Sequence, residues 1–463
     1  METYHSETGK LQAIIDSSVN LEEHVEDYGA VLDFVGDASV VLLGESTRGS
    51  QEFYRARADI TKMLIQKKGF KAVAATTDCN IGVRLNRFVN RGTMRDSTFS
   101  ENESYAEAMS HGGAIFPKWV WENQQMENFF LWLRMHNETM RTPAQRIGFH
   151  GLDLFNFYDS ASFIIRNLER TIPTAAASAR YFFSGFESIG RATRLTKAAA
   201  QLNLSDSLEQ ENVTALTERL KNSHHDADTD RHKEFDDTTI GDFSTAAQKS
   251  RTIAGAEQFY RNMLRDTVSL WQLRDVHMAE ALQKLRQDLE RAGEAPRVVV
   301  WAHSLDSGDA QATEMSRLRK VNFGQMVKQA YGHDTVSIGL TTYLGTVTVS
   351  SSWNGVAEVK AIPQGRSTSY EHLFHKTGIP RFFLEMKHDS EVGHALRDPQ
   401  TELAMGAIVE QNSKRSNHFY RASLPFQFDA IIHLDRTSAF PKTESETPEL
   451  ARQKNNVQNS EMF

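Results

Sequence analysis

The sequence predicts an α/β fold built on a largely parallel sheet, with surrounding helices and a helical insertion. Short, continuous apolar runs that end in glycine or polar residues, such as residues 39–44, are typical of parallel strands buried on both faces. A helical pattern separates the first two of these runs. Charged side chains follow several runs, at the edge where ligands bind in such sheets.

The first elements form a βαβ unit. Residues 39–44 are the first predicted strand, and residues 45–50 form a polar turn. A helix follows, with Phe53 and Ile60 on its apolar face, and it is predicted to end at Gly69. Residues 70–75 form the next strand, so the unit builds part of a parallel sheet.

Helical and strand patterns then alternate along the rest of the chain. Helices are predicted at residues 79–95 and 116–136, with a strand at residues 147–153. Residues 160–294 are mostly helical in periodicity, and residues 204–249 are their most polar portion. Further strands are predicted at residues 297–302, 335–340, 345–349 and 430–434.

These patterns divide the chain into five parts. They are an N-terminal helical lead-in (1–37), the first part of the α/β core (38–159), a helical insertion or lid (160–294), the second part of the core (295–440) and a disordered tail (441–463).

Composition excludes several classes of protein. The 463 residues carry 52 Lys and Arg against 60 Asp and Glu, a net charge of −8, which argues against binding nucleic acid through a basic face. No run approaches the ~18 apolar residues of a membrane helix. The start of the chain lacks the pattern of a secretory signal, so we expect a cytoplasmic protein whose partner is a small-molecule substrate.

Metals and cofactors are not expected. The single cysteine, Cys79, excludes an intramolecular disulfide and a multi-cysteine zinc site, and it is interpreted as structural. Residues 224–232 are rich in His and Asp, but a solvated loop is the favoured interpretation. The chain contains neither a Gly-Lys-Ser/Thr phosphate loop nor a Gly-x-Ser-x-Gly nucleophile elbow.

Candidate catalytic side chains follow three strands: Glu45 with Arg48, then Asp153, then His303 with Asp306 and Asp309. Such a cluster suits acid/base chemistry, in which a carboxylate orients His303 and the second ring nitrogen takes a proton. The structural alternative is that Asp306 caps a helix at residues 307–320.

Motifs along most of the chain, from about residue 38 to 438, resemble those of the erythromycin esterase family. They are Leu43-Gly44-Glu45-Ser46-Thr47-Arg48-Gly49 with Glu52-Phe53 and Arg57, Phe116-Pro117-x-Trp119 with Asn123, Gly148-Phe149-x-Gly151-Leu152-Asp153-Leu154, Arg274-Asp275-x-x-Met278, Trp301-Ala302-His303 with Gly308-Asp309, Ala312-Thr313-Glu314-Met315, Gly345-Thr346-Val347-Thr348, Ser369-Tyr370-Glu371, and Gln427-Phe428-Asp429-Ala430 to Asp435-Arg436-Thr437.

The resemblance implies an erythromycin-esterase-like fold, an α/β core with added helices around a deep cleft. It implies metal-independent hydrolysis of an ester or lactone, in which a histidine activates water. Carried over by position, Glu45, Arg57 and His303 match active-site residues of the family.

Three positions depart from the family pattern. Arg48 and Asp306 stand where the family has histidines, and Thr76 stands where it has a glutamate. Arginine remains protonated and cannot accept a proton from water, although it can bind a carboxylate or an oxyanion. We therefore predict Glu45, His303 and Asp306 as catalytic residues. The predicted substrate-binding residues are Arg48, Arg57, Thr76, Asp153 and Asp309.

Two functions follow from the altered motif. The first is a divergent enzyme acting on an ester, lactone or related acyl compound, with a polyketide-like secondary metabolite as the plausible substrate. Its reaction is hydrolysis, lactonisation, elimination or cyclisation. The second is a catalytically inactive relative that binds a small molecule in the retained cleft. Macrolide inactivation by the usual mechanism is less favoured than either.

Overall fold

Apolar strand segments assemble into one large sheet and two small ones. The computed structural model describes residues 6–21, 28–90, 104–110, 117–153, 267–318, 320–351, 356–409 and 418–441. Within these ranges the strands are β1 (Ser18–Asn20), β2 (Val40–Glu45), β3 (Ala72–Asp78), β4 (Gly148–Asp153), β5 (Val298–His303), β6 (Thr335–Thr341), β7 (Leu344–Val349), β8 (Glu358–Ala361), β9 (Arg381–Glu385), β10 (Gln400–Leu403), β11 (Phe419–Ala422), β12 (Ala430–Leu434) and β13 (Arg436–Thr437).

The large sheet has eight strands in the order β1-β9-β12-β6-β2-β5-β3-β4. The six strands from β12 to β4 are mutually parallel, while β9 runs antiparallel to both of its neighbours. The predicted fold class, a largely parallel sheet with surrounding helices, is confirmed. Strands β13, β7 and β8 form a separate sheet, and β10 pairs with β11.

The helices in the described ranges are α1 (Glu7–Ser17), α2 (Gly29–Val35), α3 (Gln51–Lys68), α4 (Cys79–Val89), α5 (Tyr105–Ser110), α6 (Gln124–Glu138), α7 (Thr267–Arg291), α8 (Ser304–Ser307), α9 (Phe323–Tyr331), α10 (Tyr370–Lys376), α11 (Glu391–Leu396) and α12 (Leu424–Gln427). None of these described helices is long and apolar enough to cross a membrane.

The apolar run in β2 is continuous because both faces of the sheet are covered. Val41 and Leu43 join a cluster with residues of α3 and α6, whereas Val40 and Leu42 join a cluster with residues of α7 and α9. Alternate side chains of a strand point to opposite faces. A strand covered by helices on both sides therefore needs apolar residues at every position.

Strand β5 lies between the two strands of the predicted βαβ unit. Helix α3 connects β2 to β3 and ends as predicted at Gly69, whose φ of +68° is left-handed. In the sheet, however, β5 pairs with β2 on one side and with β3 on the other. Strands β2 and β3 are parallel, as predicted, but they are not neighbours in the sheet.

The structure corrects one helix prediction and tests another in part. The helix predicted at residues 116–136 is a short 3₁₀ turn, Lys118–Val120, followed by α6. The break occurs at Asn123, because its side chain accepts hydrogen bonds from the amides of Gln125 and Met126 and so begins a new helix. Helix α4 is assigned only as far as Val89, and residues 91–95 lie outside the described ranges.

Helix α7 is the described part of the predicted insertion. Its Met278 and Leu282 are fully buried against the sheet, so this segment belongs to the packed core. Residues 160–266, which include the His/Asp-rich run at 224–232, lie outside the described residues, as does the predicted tail from residue 442 onward.

Candidate active site

The topology places Glu45 and His303 side by side. They are the last residues of β2 and β5, and they are direct partners in the parallel register. Neighbouring strands lie about 4.8 Å apart. The insertion of β5 between β2 and β3 therefore brings three strand ends of the carboxyl edge together, including that of β3, which carries Thr76.

Six charged side chains form an alternating series, which we call the ion-pair chain. The order is Arg57, Glu45, Arg48, Asp306, Arg274, Asp153. Nitrogen–oxygen distances along it are 2.8 Å from Arg57 to Glu45, 3.8 Å from Glu45 to Arg48, 3.4 Å from Arg48 to Asp306, 3.2 Å from Asp306 to Arg274 and 2.7 Å from Arg274 to Asp153. The chain joins three arginines to three carboxyl groups.

Main-chain hydrogen bonds fix the loop that carries Arg48. The main-chain amide of Arg48 donates to the Met405 carbonyl. The Arg48 guanidinium donates to the Thr76 hydroxyl at 3.2 Å. At Gly49 a Cβ atom would lie 1.8 Å from the Thr348 carbonyl oxygen, so this close approach requires glycine. Arg48 is thus held against Thr76 at the carboxyl edge of the sheet.

Burial and the neighbouring arginines have opposite effects on the pKa values of Glu45 and Asp306. Burial raises the pKa of Glu45 above its ordinary value, while Arg57 and Arg48 oppose that rise. Burial also disfavours ionisation of Asp306, but Arg274 and Arg48 outweigh it, so the pKa of Asp306 lies below its ordinary value. Asp306 is therefore ionised near neutral pH.

Both ring nitrogens of His303 contact main-chain groups. Nδ1 accepts from the Leu305 amide at 3.2 Å and caps helix α8, and Nε2 lies 3.3 Å from the Met405 carbonyl oxygen. This arrangement selects the neutral tautomer that carries its proton on Nε2. The predicted orientation of His303 by a carboxylate is wrong for this conformation, because main-chain groups orient the ring instead.

His303 should remain neutral throughout the range in which histidine usually titrates. Burial lowers its pKa to about 4, and the positive charge of Arg48 acts in the same direction. We expect nitrogen-15 spectra at pH 6 to show an Nε2-protonated, neutral ring. A ring that titrates near the ordinary value of about 6.5 would contradict the observed hydrogen bonding.

The capping alternative for Asp306 is wrong. Helix α8 starts directly after His303, so Asp306 lies inside it and faces Arg48 and Arg274. The capping residue is instead Asp309, whose carboxylate accepts from the Gln311 amide at 2.8 Å at the start of a 3₁₀ turn, Ala310–Ala312. Within the described residues, no ion pair or side-chain hydrogen bond joins Asp309 to the ion-pair chain.

The other predicted residues are brought together. The ion-pair chain includes Glu45, Arg48, Arg57, Asp153 and Asp306, and Thr76 contacts it through Arg48. Arg57 also packs over the rings of Tyr54 and Trp301, 4.5 Å and 5.3 Å from their centroids. The catalytic and substrate-binding roles of these residues stay predictions.

A cavity of about 260 Å³ opens beside one end of the ion-pair chain. Its lining includes Arg274, Asp275, Asp306, Lys320 and Gln427, together with apolar groups such as Leu305 and Met315. Arg274 and Asp275 were not among the predicted site residues, because they lie in the segment interpreted as an insertion. The available signal was the Arg274-Asp275-x-x-Met278 motif.

Asp275 is a nearly buried carboxyl in this lining, with 7% of its surface exposed. Burial raises its pKa to about 8, the negative charge of Asp306 adds to that rise, and Arg274 opposes it. Within the described ranges, no group of three His, Cys, Asp or Glu side chains is placed to hold a metal ion.

Comparison with known proteins identifies the family. The model of the erythromycin esterase family matches residues 65–437. Among solved structures, the fold is similar to that of a succinoglycan biosynthesis protein, with a TM-score of 0.72 and 20% identity over 94% of this chain and 98% of that one. A Bacillus cereus protein gives a TM-score of 0.73 and 17% identity, with the same coverage of both chains.

A third solved structure is a mutant of the erythromycin esterase EreC in its open conformation. Its TM-score is 0.61 at 13% identity, over 91% of this chain and 96% of that one. At such identities the likeness shows the fold. The family match extends over most of the sequence, and so this chain belongs to the erythromycin esterase family.

Proposed function

We propose that this protein is a divergent enzyme that acts on an ester, a lactone or a related acyl compound in the cavity beside Asp306. One observation carries the proposal: an ionised carboxylate, held between Arg48 and Arg274, lines a cavity at the carboxyl edge of the parallel sheet. That edge is where α/β sheets bind their ligands. The chemistry is acid/base and assigns no metal.

Asp306 takes the role of base in this proposal. Its carboxylate accepts a proton from a water molecule as the water oxygen attacks the acyl carbon. Arg274 lines the same cavity and stabilises negative charge that develops on the acyl oxygen. Arg48 cannot accept a proton, but its contact with Asp306 keeps that carboxylate ionised and oriented. Lactonisation uses the same groups in the reverse direction.

The size of the cavity favours a small acyl portion. The cavity has a volume of about 260 Å³. That space suits a short ester or a small lactone better than a complete macrolactone. A polyketide-like secondary metabolite is the substrate class that the family relationship suggests.

A second candidate function is binding without turnover. It is favoured by His303, whose ring nitrogens are both directed at the main chain, and by Arg48 at the position of the family's base. In that case the cavity holds a small molecule, and the ion-pair chain only stabilises its walls.

The expected result for the first function is hydrolysis of small esters and lactones but little or no ring opening of erythromycin. Purified protein is incubated with p-nitrophenyl butyrate, ethyl butyrate, δ-valerolactone and erythromycin, and products are followed by mass spectrometry. Asp306→Asn keeps the size of the side chain but loses the base, so turnover should fall by a factor on the order of 10²–10⁴.

Asp288→Asn is the matched control, because Asp288 lies partly exposed on α7 and pairs with Lys284. It should leave turnover unchanged, and thermal melts should confirm that both variants fold. Wild-type protein that binds these compounds without converting any of them would support the binding function. Rapid addition of water to erythromycin would overturn the proposed substrate size.

A further inference from the structure

Asp275 lines the cavity and has one carboxyl oxygen that is buried without a partner. The amide of Phe323, the first residue of α9, hydrogen-bonds to the carboxyl group. One oxygen of this carboxyl group, Oδ1, is buried and has no hydrogen-bond partner among the described residues. A buried polar atom without a partner is costly, so its retention in a cavity wall calls for an explanation.

Charged groups surround Asp275 from several elements. Arg274 is its neighbour on α7, Asp153 lies at the end of β4, and Asp306 lies in α8. Lys320, in the segment before α9, also lines the cavity. Burial and the two carboxylates favour the protonated form of Asp275, against the effect of Arg274, and raise its pKa to about 8.

We propose that Asp275 is the proton donor of this site and that it acts as the acid, with the ionised Asp306 as the base. The inference rests on the proposed function. Two carboxyl groups in different environments, one ionised and one protonated, provide a base and an acid in one cavity. Such a pair supplies the proton transfers for which the neutral, main-chain-bonded His303 is poorly placed.

Hydrolysis of an ester at this site needs one proton acceptor and one proton donor. The water oxygen bonds to the acyl carbon while its proton goes to Asp306. The carbon–oxygen bond to the alcohol then breaks, and the electron pair stays on the alcohol oxygen. Asp275 gives its proton to that oxygen. The products are a carboxylic acid and an alcohol. The starting state is restored when Asp306 loses its proton to solvent water and Asp275 takes one up from it.

A purely structural role for Asp275 makes a different prediction. If the carboxyl only accepts from the Phe323 amide at the start of α9, asparagine can replace it, because its side-chain oxygen accepts the same hydrogen bond. Proton donation to a leaving group cannot be replaced in this way. Asp275→Asn therefore separates the two roles.

The first experiment compares two esters that share an acyl group. Ethyl butyrate releases a strongly basic alkoxide that needs a proton, whereas p-nitrophenyl butyrate releases a stable phenolate that does not. We expect Asp275→Asn to lower kcat for ethyl butyrate by a factor on the order of 10²–10⁴ and to change p-nitrophenyl turnover less than about fivefold. Equal losses for both esters, or no loss for either, would overturn the assignment.

A second experiment does not depend on turnover. Infrared difference spectra between wild type and Asp275→Asn should contain a protonated-carboxyl band at pH 6.5 that disappears by pH 9.5. Asp288→Asn, on the same helix, should give no such band. Its absence in the first comparison would overturn the inference. If wild-type protein converts neither ester, the proposed function fails, and the band still decides whether Asp275 holds the proton.

Discussion

Replacing Arg274 with leucine should destabilise the protein by about 3–5 kcal/mol, because it removes the buried cation that pairs with two carboxyl groups. Arg274 is 4% exposed and holds Asp153, which is fully buried, through two nitrogens at 2.8 and 2.7 Å. It also contacts Asp306 at 3.2 Å. Denaturant unfolding curves for wild type and Arg274→Leu measure the difference.

A matched control lies on the same helix. The side chain of Arg291 is 70% exposed and pairs with Asp288 at 3.5 Å, so Arg291→Leu should cost less than about 1 kcal/mol. The double variant Arg274→Leu/Asp153→Asn should be less destabilised than the sum of its single changes, because both removed charges belong to one pair. A loss below about 1 kcal/mol for Arg274→Leu would show that Asp153 has other adequate support.

Replacing Glu402 with glutamine should make the protein markedly less sensitive to alkaline pH. Glu402 is fully buried, accepts from the Tyr420 hydroxyl at 2.7 Å and lies near Glu371, which is also buried. Burial raises the pKa of Glu402 to about 8, and the charge of Glu371 adds to the rise. Burial likewise raises the pKa of Glu371 to about 7.

The sign of the pH dependence follows from proton binding. Above about pH 4.5 these carboxyl groups are ionised in the unfolded chain, but in the folded protein they stay protonated up to about pH 7 for Glu371 and about pH 8 for Glu402. The folded state then binds more protons, so their contribution to the free energy of unfolding falls as pH rises through this range. Each unit by which the pKa is raised corresponds to about 1.4 kcal/mol of folding free energy. For Glu402 the contribution that is lost on raising the pH is of the order of several kcal/mol.

The measurement is the free energy of unfolding at pH 5 and pH 9 for both proteins. Relative to wild type, Glu402→Gln should gain stability on moving from pH 5 to pH 9. Glu358→Gln, in the partly exposed strand β8, is the control and should change by less than about 0.5 kcal/mol across this range. If the free energies of unfolding of wild type and Glu402→Gln differ by the same amount at pH 5 and pH 9, Glu402 does not carry the proton.

The fold was predictable where local pattern and tertiary environment agree. Continuous apolar runs identified β2, β3, β5, β6 and β12, since strands covered on both faces require them. The edge strand β1 and its neighbour β9 are short, carry a weaker pattern and were not predicted. Asn123 shows the limit for helices, because a side-chain cap divides one aromatic-rich segment into a turn and a helix.

The candidate site was predictable only in part, since it depends on strand order. Strand ends predicted a cluster of charged groups, and β5 brings Glu45 and His303 into register. Nothing local indicates that the amide of Leu305 and the carbonyl of Met405 would engage the His303 ring. Arg274 reaches Asp153 across 121 positions of sequence, a contact that periodicity does not reveal.

The position of β5 also bears on the order of events during synthesis. Strands β2 and β3 leave the ribosome more than 200 residues before β5, yet β5 lies between them in the folded sheet. Until residues 298–303 emerge, the facing edges of β2 and β3 have no native partner, and exposed strand edges favour wrong pairing. The centre of the sheet can thus close only late in translation, when chaperones that shield unpaired strands would have their greatest effect.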